Sequence, residues 1–202
     1  MRFCLPSLAL LLLTACSDAP TTEKKAKAPE PPAAPLTGRQ AFQQTYPAAR
    51  GWAADCQPMR IRSLNLPNPK SENGKAGAWE ILYVSQARGR ARIYTWSAIE
   101  AEGNLHKGVF AGLEESWSGP HGQEKPFLAA AIKTDTPDAL ETAIAKSPDY
   151  MKKTAPKPAV NFMLEFTSRF PDPAWRVFWG DSVSAAQWSV FIDATTGEYL
   201  GR

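Results

Sequence analysis

The chain has 202 residues, 44% of them apolar, and a net charge of +3 from 23 Lys and Arg against 20 Asp and Glu. That length suits one good core or two small fused ones, and so slight a positive balance excludes the charge footprint of a nucleic-acid binder. Two histidines and no HExxH or CxxC pattern give no support for a metal or haem centre.

The first element is a mostly apolar run over residues 3–13, behind the single charge of Arg2. It falls well short of the roughly 20 residues that a bilayer span needs, so it reads as the h-region of an export signal. The run closes on Leu13-Thr14-Ala15-Cys16, with Ser17 and Asp18 after it. This arrangement resembles a bacterial lipoprotein signal with its lipobox. The resemblance implies removal of residues 1–15, a diacylglycerol on the thiol of Cys16, and attachment to an envelope membrane through that N-terminal lipid. Ser17, in place of an acidic residue after the cysteine, implies the outer membrane, facing the periplasm.

Residues 16–36 are largely Pro, Ala, Lys and Glu. A segment with so little apolar bulk is expected to stay disordered, and its prolines make it an extended tether that holds a folded part up to roughly 60 Å from the membrane. With Cys4 in the signal and Cys16 lipidated, Cys56 is alone. It reads as a small buried hydrophobe, with a reactive thiol near Arg60 and Arg62 as the alternative.

Beyond the tether the chain repeats itself. Residues 78–85 are AWEILYVS and residues 174–181 are AWRVFWGD; Ser97-Ala98 and Asp193-Ala194 follow at the same spacing. Upstream, Thr37 with Gln40 three residues later forms a capping-box pattern. Thr136, followed by Pro137 and Asp138, reads as a second helix N-cap. Period-two alternation predicts strands over 59–66, 78–85 and 90–98 in the first unit, and over 160–167, 174–179 and 187–194 in the second. Each strand has one apolar and one wetter face, which predicts antiparallel sheets with helices on one side. The fold class is therefore α+β, two tandem α-β-β-β units over residues 37–105 and 136–202, joined by 106–135. Pairing the two sheets edge to edge would hide strand edges.

The second unit ends Val190-Phe191-Ile192-Asp193-Ala194-Thr195-Thr196-Gly197-Glu198-Tyr199. A helix, a hairpin and a last strand closing on Asp-Ala-x-Thr-Gly resemble a PepSY domain. The first unit resembles it by analogy only, with Ser97 for the aspartate and Glu102 for the threonine. The resemblance implies a binding or peptidase-restraining module in the envelope, rather than a catalyst. The competing reading of residues 193–197 is a strand-ending turn made for backbone reasons.

No nucleophile elbow, P-loop or dinucleotide fingerprint occurs. Glu114 and Glu115 are adjacent and should diverge. No catalytic residue, cofactor or metal is therefore assigned. The candidate binding residues are Arg88, Arg90 and Arg92, set on one strand face at a hairpin, and Phe110 and Trp117 in the Gly-rich joining segment. The arginines suit anionic lipid, lipopolysaccharide or a peptide carboxylate, or form a solvated face. The aromatics suit a binding hot spot, or plug the seam between the units. His121 reads as an exposed turn residue. The leading expectation is non-catalytic binding of an envelope protein or peptide. An envelope lipid or glycan ligand is the alternative, and a small hydrolase is the third.

Overall fold

A computed structural model of the chain describes residues 34–120, 122–153 and 158–202. The signal, Cys16 and His121 lie outside the described residues, as does the tether except at its end. Leu36, the last tether residue, pairs with Ala76 in a small ladder between β1 (Leu36–Thr37) and β3 (Lys75–Ala76).

Helix α1 (Gly38–Trp52) starts where the capping box places it. The Thr37 hydroxyl accepts from Gln40 N, and the Gln40 side chain accepts from Thr37 N. Ala41, Phe42, Thr45 and Ala49 are buried at helical spacing. Strands β2 (Gln57–Leu64), β4 (Ala78–Ser85) and β5 (Arg90–Ser97) follow as expected. Helix α2 (Thr136–Ala145) precedes β8 (Val160–Thr167), β9 (Ala174–Trp179) and β10 (Trp188–Asp193).

Three readings need correction. The N-cap of α2 is Asp135, one residue before the expected Thr136. A short helix α3 (Pro148–Lys153) follows α2, and its Tyr150 stacks on Trp188 at 4.9 Å. The joining segment is not a loop: it supplies a nine-residue strand, β6 (Gly108–Ser116), and a two-residue one, β7 (Glu124–Lys125).

The strands form one antiparallel sheet in the order β11-β10-β9-β8-β2-β4-β5-β6, where β11 is Tyr199–Gly201 and β7 pairs separately with β8. The two units thus join edge to edge through β2 and β8, with Ile61 opposite Leu164. Alternation turns Trp79, Ile81, Tyr83, Leu164, Trp175 and Val177 to one face, where they are fully buried with α1 and α2 against them. Neither α1 nor α2 packs on the opposite face, which is free of helices among the described residues.

The duplication extends to hydrogen bonds. Trp79 Nε1 donates to Leu36 O at 2.9 Å, and Trp175 Nε1 donates to Thr134 O at 2.9 Å. In both cases the acceptor is the residue before the helix N-cap. Ala98 N donates to Gly77 O, and Ala194 N to Pro173 O, at 2.8 and 2.9 Å. The two helix starts meet. The Asp135 carboxylate accepts from Thr136 N at 2.8 Å, Arg39 N at 3.0 Å and Thr37 Oγ1 at 2.6 Å, while Thr136 Oγ1 accepts from Gly38 N at 3.0 Å. Gly38 is required there, because a Cβ would lie 2.6 Å from the Trp175 ring. One buried carboxylate therefore caps both helices and occupies the anion-attracting end of each.

Candidate functional site

The five candidate residues fall on two faces of the sheet. Arg90 and Arg92 follow the helix-side register of β5, opposite Ser116 and Glu114 of β6. Arg88 is in the β4–β5 turn, off the strand, where its N–H bonds to Ser85 Oγ. The three are not a free cationic row. Arg88 lies 3.7 Å and Arg92 3.9 Å from the same Glu114 oxygen, which also accepts from Trp52 Nε1 at 2.8 Å. Arg92 Nε donates to Gly112 O, and Arg90 donates to Ser116 Oγ. These contacts fasten β6 to β5 and to the end of α1.

Phe110 and Trp117 are not at the seam, which belongs to β2 and β8. Phe110 sits opposite Thr95 on the helix-free face and packs on His106 at 4.3 Å. Trp117 covers Met59, Val84 and Ala91, a second small core on that same face. Phe110 lies on β6 and Trp117 directly follows it; the glycines and polar residues of that strand made it read as a connection.

Glu114 and Glu115 diverge as expected, Glu114 towards the arginines and Glu115 into a groove on the helix-free face. The groove is about 440 Å³, floored by Ile93 and Thr95 of β5, walled by Phe110 and Leu113 of β6, and rimmed by Glu80 and Glu115. Thr95 Oγ1 is buried there with no hydrogen-bond partner among the described residues. Glu80 is held by Arg62 at 2.7 Å, whereas no ion pair forms to Glu115 among the described residues. Leu113 is 90% exposed. Sequence reasoning singled out only Phe110 here; the signal for the others was a Leu isolated between Gly112 and Glu114.

A second groove of about 460 Å³ lies on the same face near the seam, between Arg62, Met163 and Phe178 and the loop at Ser182 and Ser184. Elsewhere on this face oppositely charged groups adjoin. Arg60 bonds Glu124 at 3.0 Å. Glu165 lies between Arg60 and Arg176, and burial first, then the Glu124 charge, pushes its carboxyl above the usual carboxylate range.

Three further titratable groups make local contacts. Cys56 is buried in the main core, and burial pushes its thiol up, away from the thiolate. His106 Nδ1 pairs with Glu100 at 2.6 Å on the surface. Asp193 Oδ1 accepts from Thr195 N and Thr196 N at 2.7 and 2.8 Å, which makes residues 193–197 a side-chain-capped turn. Among the described residues, no group of three or more His, Cys, Asp or Glu side chains could hold a metal, and no helix is long and apolar enough to cross a membrane.

No protein-family model matches the chain, and no curated protein matches it. One solved structure, described as a "putative lipoprotein" from Clostridium difficile 630, is similar over 79% of this chain and 90% of its own, with 11% identity and a TM-score of 0.47.

Proposed function

We propose that the chain is a lipid-anchored envelope lipoprotein whose folded part binds a protein or peptide partner without catalysis. The anchor rests on the lipobox resemblance at Cys16, and the outer-membrane address on Ser17. The observation that supports binding is the helix-free face of the sheet: it is broad, its central charges are paired, and an apolar groove opens at its β5–β6 end. A face of this kind suits a macromolecular surface better than a small molecule, because its grooves are open and shallow rather than enclosing. A peptidase is the partner class implied by the PepSY resemblance. The anionic-lipid alternative is less favoured, since Arg88 and Arg92 share Glu114 and of the three only Arg90 lacks a carboxylate partner among the described residues.

The test is capture from envelope extracts on the immobilised full chain, with bound material identified by mass spectrometry. One enriched protein, lost when Glu80 and Phe110 are replaced together, supports the reading. Enriched lipid or glycan without protein refutes it, as does sustained turnover of generic peptide, ester or glycoside substrates.

A further inference from the structure

Strand β6 ends the sheet. It pairs with β5 on one side, and none of the described strands pairs with it on the other. At the opposite end β11 is three residues long, whereas β6 has nine. Natural edge strands are guarded by shortness, by charged residues or Pro, by bulges, or by a covering element, because their free N–H and C=O groups template pairing with another chain. β6 reads Gly-Val-Phe-Ala-Gly-Leu-Glu-Glu-Ser, with no Lys, Arg or Pro.

Three of the six large apolar side chains exposed among the described residues are on this one strand: Val109 at 39%, Phe110 at 37% and Leu113 at 90%. A bulge sets Gly112 and Leu113 together opposite Ile93. Beside Phe110 and Leu113 stands Glu115, with no ion pair among the described residues, and beneath them the Thr95 hydroxyl, without a hydrogen-bond partner among the described residues.

We propose that the free edge of β6 takes an extended segment of the partner as an added strand, with an apolar side chain against Phe110 and Leu113 and a lysine or arginine beside Glu115. This rests on the partner-binding reading above. Strand addition draws affinity from main-chain hydrogen bonds and specificity from alternate side chains, and β6 offers both. A second copy of the chain is a poorer occupant. Self-pairing of β6 would bring two more carboxylates and, within the strand itself, no cation to Glu115; Lys107, before the strand, is one charge against them.

The experiment titrates the full chain in detergent with three fluorescent octapeptides. One alternates valine with lysine, the second replaces lysine by glutamate, and the third is the lysine peptide N-methylated at alternate amides. The lysine peptide should bind in a salt-sensitive way, and the glutamate peptide about two- to fivefold more weakly. N-methylation should abolish binding. Leu113→Ser should weaken the lysine peptide roughly tenfold, and Glu115→Lys should reverse the charge preference. Both side chains are surface groups, so an unchanged thermal melt certifies the fold of each variant. No binding of the lysine peptide at millimolar concentration overturns the proposal. So does undiminished binding of the N-methylated peptide, or wild-type affinity in Leu113→Ser.

The two readings fail separately. A partner captured equally by wild type and by Leu113→Ser, Glu115→Lys overturns the edge and leaves partner binding standing. An empty envelope capture beside edge-dependent peptide binding removes the broader reading and supports the edge chemistry.

Discussion

Replacing Asp135 tests whether the two units depend on one carboxylate. Its side chain accepts three hydrogen bonds, from Thr136 N, Arg39 N and Thr37 Oγ1, and the residue is only 8% exposed. Loss of a helix N-cap costs about 1 kcal/mol. A hydrogen bond to a charged group contributes about 1.5–3 kcal/mol, and two such bonds reach into the other helix. Partial rehydration returns some of this, so Asp135→Ala should lose about 3–4 kcal/mol and Asp135→Asn, which keeps one acceptor oxygen, about 1–2 kcal/mol. Against a total stability of about 5–15 kcal/mol these losses are large. Equilibrium denaturation in urea, followed by tryptophan fluorescence, gives the values if the slope m is unchanged. Adding Thr37→Ala closes a double-mutant cycle, and the coupling should be about 1–2 kcal/mol. A loss below about 1 kcal/mol for Asp135→Ala, or strict additivity with Thr37→Ala, would refute the shared-cap argument.

The remaining predictions are narrower. Trp79→Phe and Trp175→Phe each remove an indole N–H from a carbonyl that precedes a helix cap, so each should cost about 2–3 kcal/mol by denaturation; a gap of more than about 1 kcal/mol would deny their equivalence. Hydrogen bonds from Ser85 Oγ, then Ala87 N, hold Asp55 below its ordinary pKa. A depressed carboxylate stabilises the fold above its unfolded pKa of about 3.9 and loses that contribution as pH falls through the folded value. Asp55→Asn should therefore flatten the fall in stability below about pH 4. Glu165 is the opposite case: with its pKa raised by burial, the ionised form costs stability as pH rises through the folded value. Glu165→Gln should thus raise the melting temperature at pH 7 and leave it unchanged at pH 3. Finally, Cys16→Ser should move the chain out of the detergent-extracted membrane fraction, and wild-type partitioning would sink the lipobox reading.

The sequence signals that succeeded were those with strong one-sided burial. Alternation at Trp79, Ile81 and Tyr83, and at Trp175, Val177 and Trp179, is enforced by a fully dry face, so the strands around them were legible to within about two residues. The capping box at Thr37 was legible because both of its bonds are local. β6 was illegible for the converse reason. An edge strand wetted on much of both faces has no alternation to read, and its two interior and terminal glycines mimic a loop. At α2, Asp135 and Thr136 are both good cap residues. Tertiary contact decides between them, since Thr136 spends its hydroxyl on Gly38 N and Gly74 O. The arginines do not share one strand face because a turn at Gly89 moves Arg88 off the strand, and Glu114, four positions past Phe110, could not be foreseen as the partner of Arg88 and Arg92. The groove residues Ile93, Thr95 and Glu115 come together only through β5–β6 pairing, which no local pattern announces.

The bonds that unite the units also set a clock for folding. Thr37 to Asp135, Gly38 to Thr136 and Ser63 to Asn161 each span 98 residues. However the chain emerges, the cap of α1 comes 98 residues before its distal acceptor. A lone helix of 15 residues is marginal in water. The reciprocal bonds of Thr37 and Gln40 are the part of its start that needs no distant partner, and Asp135 supplies the rest only when the second unit is in place.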